Sequence, residues 1–552
     1  MIRRTAVLCF VLPGLSLAIT QIGCGNGSSV PPSPASTPSP AVNIQHIVVI
    51  FQENVSFDHY FGTYPNALNL PGETPFTPLP GTPAVDGLSQ SLLVQNPNFT
   101  NTRNGNGASN PFRLSPLNAA TADQDHSYNQ EQLAFDGGAM DLFPHSVGAA
   151  DSPSQGSGIA ATTGLTMAYY DGNTVTALWN YAQHYAMSDR FFGTTFGPST
   201  LGALNLVSGQ TNGVVNDGNA AGNMISDGNG GYTLIRNAAP VNDICSSTSG
   251  ALVHMTGRNV GDLLNAAAVT WGFFHEGFDT SVTNVNGTTG CRRSNRSGVT
   301  GQTPLDYTPV ANPFQYYAST ANPLHTRPAS ISMIGQTGDG GTNHQYDMHD
   351  FFDALKAGNL PAVSYLKSAA YRDGHAGYSD PLDEQKFLVH VINTIEQTPE
   401  WTNTVIVVTY DDSDGWYDHV SNVVNGSETA KDGFSGPGKC GDGTAALPGV
   451  DSNTLHAQGR CGYGPRLPLL VISPWAKPNY VSHTVTDQSS VLRFIEDTFL
   501  NQRRIGQGSY DQIAGSISDM LDFSTTSPQN GAVILLDTTT GQVTTTGQVQ
   551  RP

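Results

Sequence analysis

Two places in the sequence put hard-cation ligands directly after an apolar run. Ile47 to Phe51 is an unbroken β-branched and aromatic stretch, and Gln52-Glu53-Asn54 ends it. Thr404 to Thr409 (TVIVVT) is the second, and YDDSDGWYDH follows with Asp411 and Asp412 one tyrosine past the run. In open α/β sheets the ligand sits off the carboxyl ends of the strands. Adjacent carboxylates there repel one another unless a cation or a shared proton lies between them. Four oxygen ligands from two strand ends therefore suit one divalent metal, of a kind the ligands do not specify. The plainer alternative is that Asp411 and Asp412 cap a turn and bond backbone amides; a match at both strand ends argues against it.

A metal in such a site can bind a hydroxyl and lower its pKa, making a nucleophile at neutral pH. Gly197-Pro198-Ser199-Thr200 offers hydroxyls where a helix begins, and free N–H groups there would favour a phosphate. Ser199 follows the turn-forming Gly-Pro and is the first choice, with Thr200 in reserve; an N-cap role is the competing account of Ser199. His126 (in DQDHS) and His375 (in RDGHAGYSDP) lie in polar loops and would bind phosphoryl oxygens or protonate a leaving group. His59 and His419 sit among aromatics and read as supporting or core residues.

These groups need a scaffold, and the chain alternates strand and helix as a mostly parallel sheet covered on both faces does. Strands are expected at Ile47 to Phe51, Ala268 to Phe274, Ser330 to Ile334, Ala362 to Leu366, Thr404 to Thr409 and Leu467 to Ile472. Helices are expected within Ala122 to Phe143 and over Thr174 to Met187, from about Ser199, and at Met348 to Ala357 and Asp383 to Gln397. Another follows Asp487 as its cap. Residues 64–118, 210–250 and 279–304 read as long inserted loops, and Ala532 to Thr544 as a hairpin.

Of 552 residues only 12% are charged, 60 are glycine and 38% are hydrophobic, which fits a loop-rich globular protein with a large core. A formal net charge of −20 argues against nucleic acid or an anionic membrane as a bulk partner. Arg3 and Arg4 precede the apolar run Ala6 to Ile19, which reads as an export signal over 1–23, too short to span a membrane comfortably. Small residues before Cys24 suggest lipidation there and a membrane tether, although Gln21 is atypical and simple release is the alternative. Residues 24–43 are a Pro/Ser linker. Cys245, Cys291, Cys440 and Cys461 remain for two disulfides in an oxidising compartment; three connectivities exist, and proximity favours Cys245–Cys291 and Cys440–Cys461. No CxxC spacing supports a zinc site.

FQENVSFDHYFG, DQDHSYNQEQLAFDGGAMD, DRFFGTTFGPST, TYDDSDGWYDH and RLPLLVISPWAKPNYVSHTVTDQSSVLRFIEDTF together resemble the bacterial phosphoesterase family. That family holds the non-specific phospholipases C and a group of secreted acid phosphatases, and the matches run in order from about 44 to 523. The resemblance implies the alkaline-phosphatase-like α/β fold over residues 44–525, followed by a tail over 526–552. It also implies a metal on Glu53, Asn54, Ser199, Asp411 and Asp412, with Ser199 as nucleophile and His126 and His375 against the phosphate or leaving group. Two departures bear on the substrate. The acid phosphatases carry a histidine pair where VANPFQYY has Ala311 and Asn312, and the phospholipases usually carry Asn where this chain has Gly202. Sulfatase-like chemistry would need a C/S-x-P-x-R motif, and none is present.

The expectation is thus an exported, metal-dependent phosphoric-ester hydrolase of phospholipase C or acid phosphatase type, acting through a phosphoseryl intermediate. Its partner is a phosphate ester, either a phospholipid head group or a small phosphomonoester, and no protein partner is inferred. The alternative is a catalytically degenerate cell-envelope binding protein on the same fold.

Overall fold

A computed structural model of the chain describes residues 44–148, 164–226, 230–421, 462–524 and 532–548. Eight strands build the central sheet: β1 (His46–Gln52), β2 (Ala186–Ser188), β3 (Trp271–His275), β4 (Gln345–Tyr346), β5 (Val363–Lys367), β6 (Thr404–Tyr410), β7 (Leu469–Ile472) and β8 (Tyr480–Ser482). Across the sheet they run β4–β3–β5–β1–β6–β7–β2–β8. Only β7 is antiparallel to its neighbours; every other pairing is parallel. Ile47, Val48, Val49, Ile50 and Phe51 are all 0% exposed. Successive residues of a strand point to opposite faces, so β1 is covered on both, as the apolar run predicts. The fold is α/β with a mostly parallel sheet.

Helices cover the sheet, and their starts are written in the sequence. Asp380 caps Pro381–Glu396 by accepting the N–H groups of Leu382 and Asp383. Asp487 caps Gln488–Phe499 through a capping box with Ser490. The C-terminal hairpin pairs Ala532–Leu536 with Val543–Gln548.

Several expected boundaries move. Ser330 to Ile334 is not a strand: it forms a 3-10 turn at Ile331–Met333. The edge strand is β4, whose two residues are too few to show a periodic pattern. The helix within Ala122 to Phe143 is only Tyr128–Phe135, because Asp136 turns left-handed and ends it. The expected helix over Thr174 to Met187 stops at His184, and Met187 belongs to β2. Residues 210–250 are not all loop, since Val214–Gly218 pairs with Leu252–Met255. Cys245 and Cys291 form a disulfide, as expected. Residues 1–43, with Cys24, and the Cys440–Cys461 pairing lie outside the described residues.

Candidate active site

β1 and β6 are adjacent and in register, with Gln52 beside Tyr410. The residues just past both strands therefore meet. Asp411 N–H donates to the Gln52 carbonyl (3.1 Å), and Val55 N–H to the Asp412 carbonyl (2.8 Å). Asn54 N–H donates to Asp411 Oδ1 at 3.1 Å, and the same oxygen takes the Asp412 N–H at 2.9 Å. Glu53, Asn54, Asp411 and Asp412 are at most 5% exposed. The structure thus brings together the four oxygen ligands expected from the two strand ends.

The electrostatics of this cluster call for a cation. Burial pushes the Asp411 carboxyl well above its usual range, and Glu53 and Asp412 push it further. Burial likewise raises Asp412, with His126 working against it. Burial opposes ionisation of Glu53 too, but Lys367 and His375 outweigh it and hold this carboxyl at about 2. Glu53 and Asp411 approach closely enough to share a hydrogen bond. Among the described residues, Asp412 Oδ2 is buried with no hydrogen-bond partner. Buried, mutually repelling carboxylate oxygens of this kind fit a hard divalent ion.

Lys367, at the end of β5, is the cation already in place. Its Nζ lies 2.7 Å from Glu53 Oε1 and 3.9 Å from Asp373 Oδ2. A lone lysine after a strand carries no sequence signal, and its partner is more than three hundred residues away, so sequence reasoning missed it.

Ser199 is the first residue of the helix Ser199–Ser208, and Pro198 occupies the cap position without a side-chain cap bond. The N-cap account of Ser199 therefore does not hold. Gly197, at φ 111°, makes the turn into this helix in a conformation that L side chains rarely adopt. Gly202, one turn on and on the same side as Ser199, is the seat of the helix: a Cβ there would lie 1.8 Å from the Asp411 carbonyl oxygen. The expected free N–H groups are partly taken, since Thr200 N–H donates to Asn237 Oδ1 (3.0 Å). Thr200 is fully buried and Ser199 is 5% exposed. Glu131 ties the two halves together: Oε2 accepts the Gly197 N–H (2.7 Å) and Oε1 accepts the Ser413 hydroxyl (2.6 Å).

The two expected histidines converge, their rings 6.2 Å apart between centroids. His126 Nε2 is 3.3 Å from Asn54 Nδ2 and 3.9 Å from Asp412 Oδ2. Burial lowers its basicity, but Asp412 and Asp414 outweigh it and raise the pKa well above the ordinary value. His375 is raised to about 9 against the same burial, chiefly by Asp123 and Asp414. Ligand atoms of His126, His375 and Asp414 lie within 4.8 Å of one another. Asp414 stands inside YDDSDG, yet its position two residues past the Asp pair gave no reason to assign it a role. Asn312 is buried, its amide donating to the Tyr307 hydroxyl (3.3 Å) and Gln345 Oε1 (3.1 Å).

His59 is core: it stacks on Trp416 at 3.9 Å and bonds the Ala168 carbonyl. His419 pairs with Asp58 (2.6 Å), and Arg466 pairs with Asp58 and Asp418, so that acidic cluster already has its cations. Asp243, Cys245 and His325 also converge, but Cys245 is spent in the disulfide.

Non-hemolytic phospholipase C of Pseudomonas aeruginosa is 24% identical over 470 residues, 83% of this chain and 54% of that protein. The chain thus spans about half the length of that relative. Phospholipase C B of Mycobacterium tuberculosis is 25% identical over 474 residues, covering 84% of this chain and 74% of that protein. Non-specific phospholipase C6 of Arabidopsis thaliana is 30% identical over 148 residues, 25% of this chain. Residues 44–500 match the Phosphoesterase family, a span that takes in both strand ends, the Ser199 helix and the two histidine loops. The chain belongs to that family.

Proposed function

We propose that the chain is an exported, metal-dependent phosphoric-ester hydrolase of phospholipase C or acid phosphatase type, with Ser199 as nucleophile. The observation that carries this reading is the register of β1 and β6, which gathers Glu53, Asn54, Asp411 and Asp412, with the Ser199 helix seated on Asp411 by Gly202. A divalent ion bound there supplies Lewis acidity and lowers the pKa of a nearby hydroxyl. Ser199 Oγ attacks phosphorus in line, forming the phosphoserine bond as the bond to the leaving alcohol breaks. His126 and His375 steady phosphoryl oxygens or give the departing oxygen its proton. Water then hydrolyses the phosphoserine. The buried site limits competing solvent contact. The Cys245–Cys291 disulfide supports export to an oxidising compartment.

Hydrolysis of p-nitrophenyl phosphate and p-nitrophenyl phosphorylcholine by wild type, Ser199→Ala and Asp411→Asn tests the reading. Wild type is expected to cleave at least one between about pH 5 and 8 with divalent ions supplied, and both variants to lose turnover by roughly a thousandfold or more. Failure of wild type on both substrates overturns the enzyme; full activity in Ser199→Ala overturns only the nucleophile.

A further inference from the structure

Two residues of the site hold a backbone conformation that costs free energy. Asn54 has φ 58° and Asp414 has φ 54°. Asparagine enters the left-handed region more readily than most residues, and aspartate does so at some cost where glycine would do so freely. Asp414 is 0% exposed, and burial together with Asp123 pushes its carboxyl well above the usual range.

Its contacts show what it does. Asp414 N–H donates to Asp412 Oδ1 at 2.7 Å, which fixes the turn. Asp414 Oδ1 accepts from Asn54 Nδ2 at 3.3 Å and lies 3.3 Å from His126 Nδ1, which also faces the Gln124 carbonyl at 2.9 Å. Because Asp414 Oδ1 is the acceptor of this bond, the NH2 group of the Asn54 amide faces Asp414 and its Oδ1 turns away. The same nitrogen lies 3.3 Å from His126 Nε2.

We propose that Asp414 is a positioning residue that locks the Asn54 amide with its oxygen presented to the cation. The proposal rests on the hydrolase reading above, since it presumes a metal on Asn54. Outer carboxylates of this kind commonly set ligand orientation in metal sites.

Calorimetric titration of metal-stripped protein with Ca2+, Mn2+ and Zn2+, separately, tests it, alongside thermal unfolding of the metal-free forms. Asp414→Gly relieves the backbone and removes a buried carboxyl, so its metal-free unfolding temperature is expected to equal or exceed that of wild type. Its metal affinity is expected to fall about 10- to 100-fold. In an Asn54→Ala background the loss on Asp414→Gly is expected to vanish, because the residue acts through Asn54. Asp414→Asn, a neutral and weaker acceptor that tolerates positive φ, is expected to lose less, again only when Asn54 is present. Wild-type affinity in Asp414→Gly, or losses that add to that of Asn54→Ala, overturns the proposal. Should Asp414→Gly unfold below wild type, the cycle with Asp414→Asn decides on the same criterion. Binding of none of the three ions by wild type overturns both this proposal and the metal-dependent reading; normal binding by wild type and by Asp414→Gly alike overturns the proposal alone.

Discussion

Gly202 lies against the carbonyl oxygen of Asp411 so closely that a Cβ would stand 1.8 Å from it. The helix that carries Ser199 and the loop that carries the Asp pair are therefore in backbone contact, and their separation is fixed by a missing methyl group. Glycine inside a helix ordinarily costs up to about 1 kcal/mol relative to alanine. Here the order reverses. Gly202→Ala is expected to destabilise by about 1–3 kcal/mol through overpacking and to cut turnover, read by thermal unfolding and ester hydrolysis together. A variant as stable and active as wild type would show that the helix moves freely over Asp411.

Removing the ammonium from beside Glu53 leaves buried carboxylates uncompensated. Lys367→Met is expected to cost about 3–5 kcal/mol in the metal-free protein, because Nζ stands 2.7 Å from Glu53 Oε1. A divalent ion supplies the same compensation, so saturating metal should raise the unfolding temperature of this variant more than that of wild type. Melting curves in chelator and in excess metal measure both quantities. An equal metal increment in the two proteins would contradict the argument.

Glu396 provides a pH test away from the site. Burial raises its carboxyl to about 8, against hydrogen bonds from Tyr185 and from the Ile534 N–H. The folded pKa exceeds the unfolded one, so the fold favours the protonated form. Its contribution is complete below the unfolded value and is lost as pH rises through about 8. Glu396→Gln mimics the protonated form and keeps an acceptor for Ile534. The variant should match wild type near pH 4 and exceed it at pH 9 by on the order of 2 kcal/mol. A stability difference independent of pH would refute the assignment.

The disulfide closes 46 residues of sequence separation. Loop-closure entropy gives roughly 4 kcal/mol for a ring of that size. The double change Cys245→Ser, Cys291→Ser should lose up to that amount and hasten proteolytic cutting within 279–304. Unchanged denaturant midpoints and digestion rates would show that the inserted loops hold themselves.

The parts of this site legible in the sequence are those marked by an abrupt local change. Ile47–Phe51 and TVIVVT are apolar on consecutive positions, so both their strand character and the polar residues that end them stand out. Gly197-Pro198 likewise marks where the Ser199 helix begins. Lys367, Asp414 and Glu131 left no such mark, because each works through partners brought close by the sheet. Apolar periodicity also misled at Ser330 to Ile334: Ile331 is 44% exposed, and the strand beside β3 is Gln345–Tyr346, too short to show a pattern. In Ala122 to Phe143 the helix stops at Asp136, whose left-handed turn reflects local backbone geometry that aspartate adopts more readily than most residues.

The order of strands across the sheet also governs when the site can exist. β1 is the first strand of the sheet to be synthesised, yet its two neighbours are Val363–Lys367 and Thr404–Tyr410. Pairings so distant in sequence form slowly, and they cannot form in a growing chain that still lacks them. Glu53 therefore lacks its lysine until residue 367 and its aspartates until more than four hundred residues have been made. A half-made chain carries all the residues of β1 and none of the chemistry.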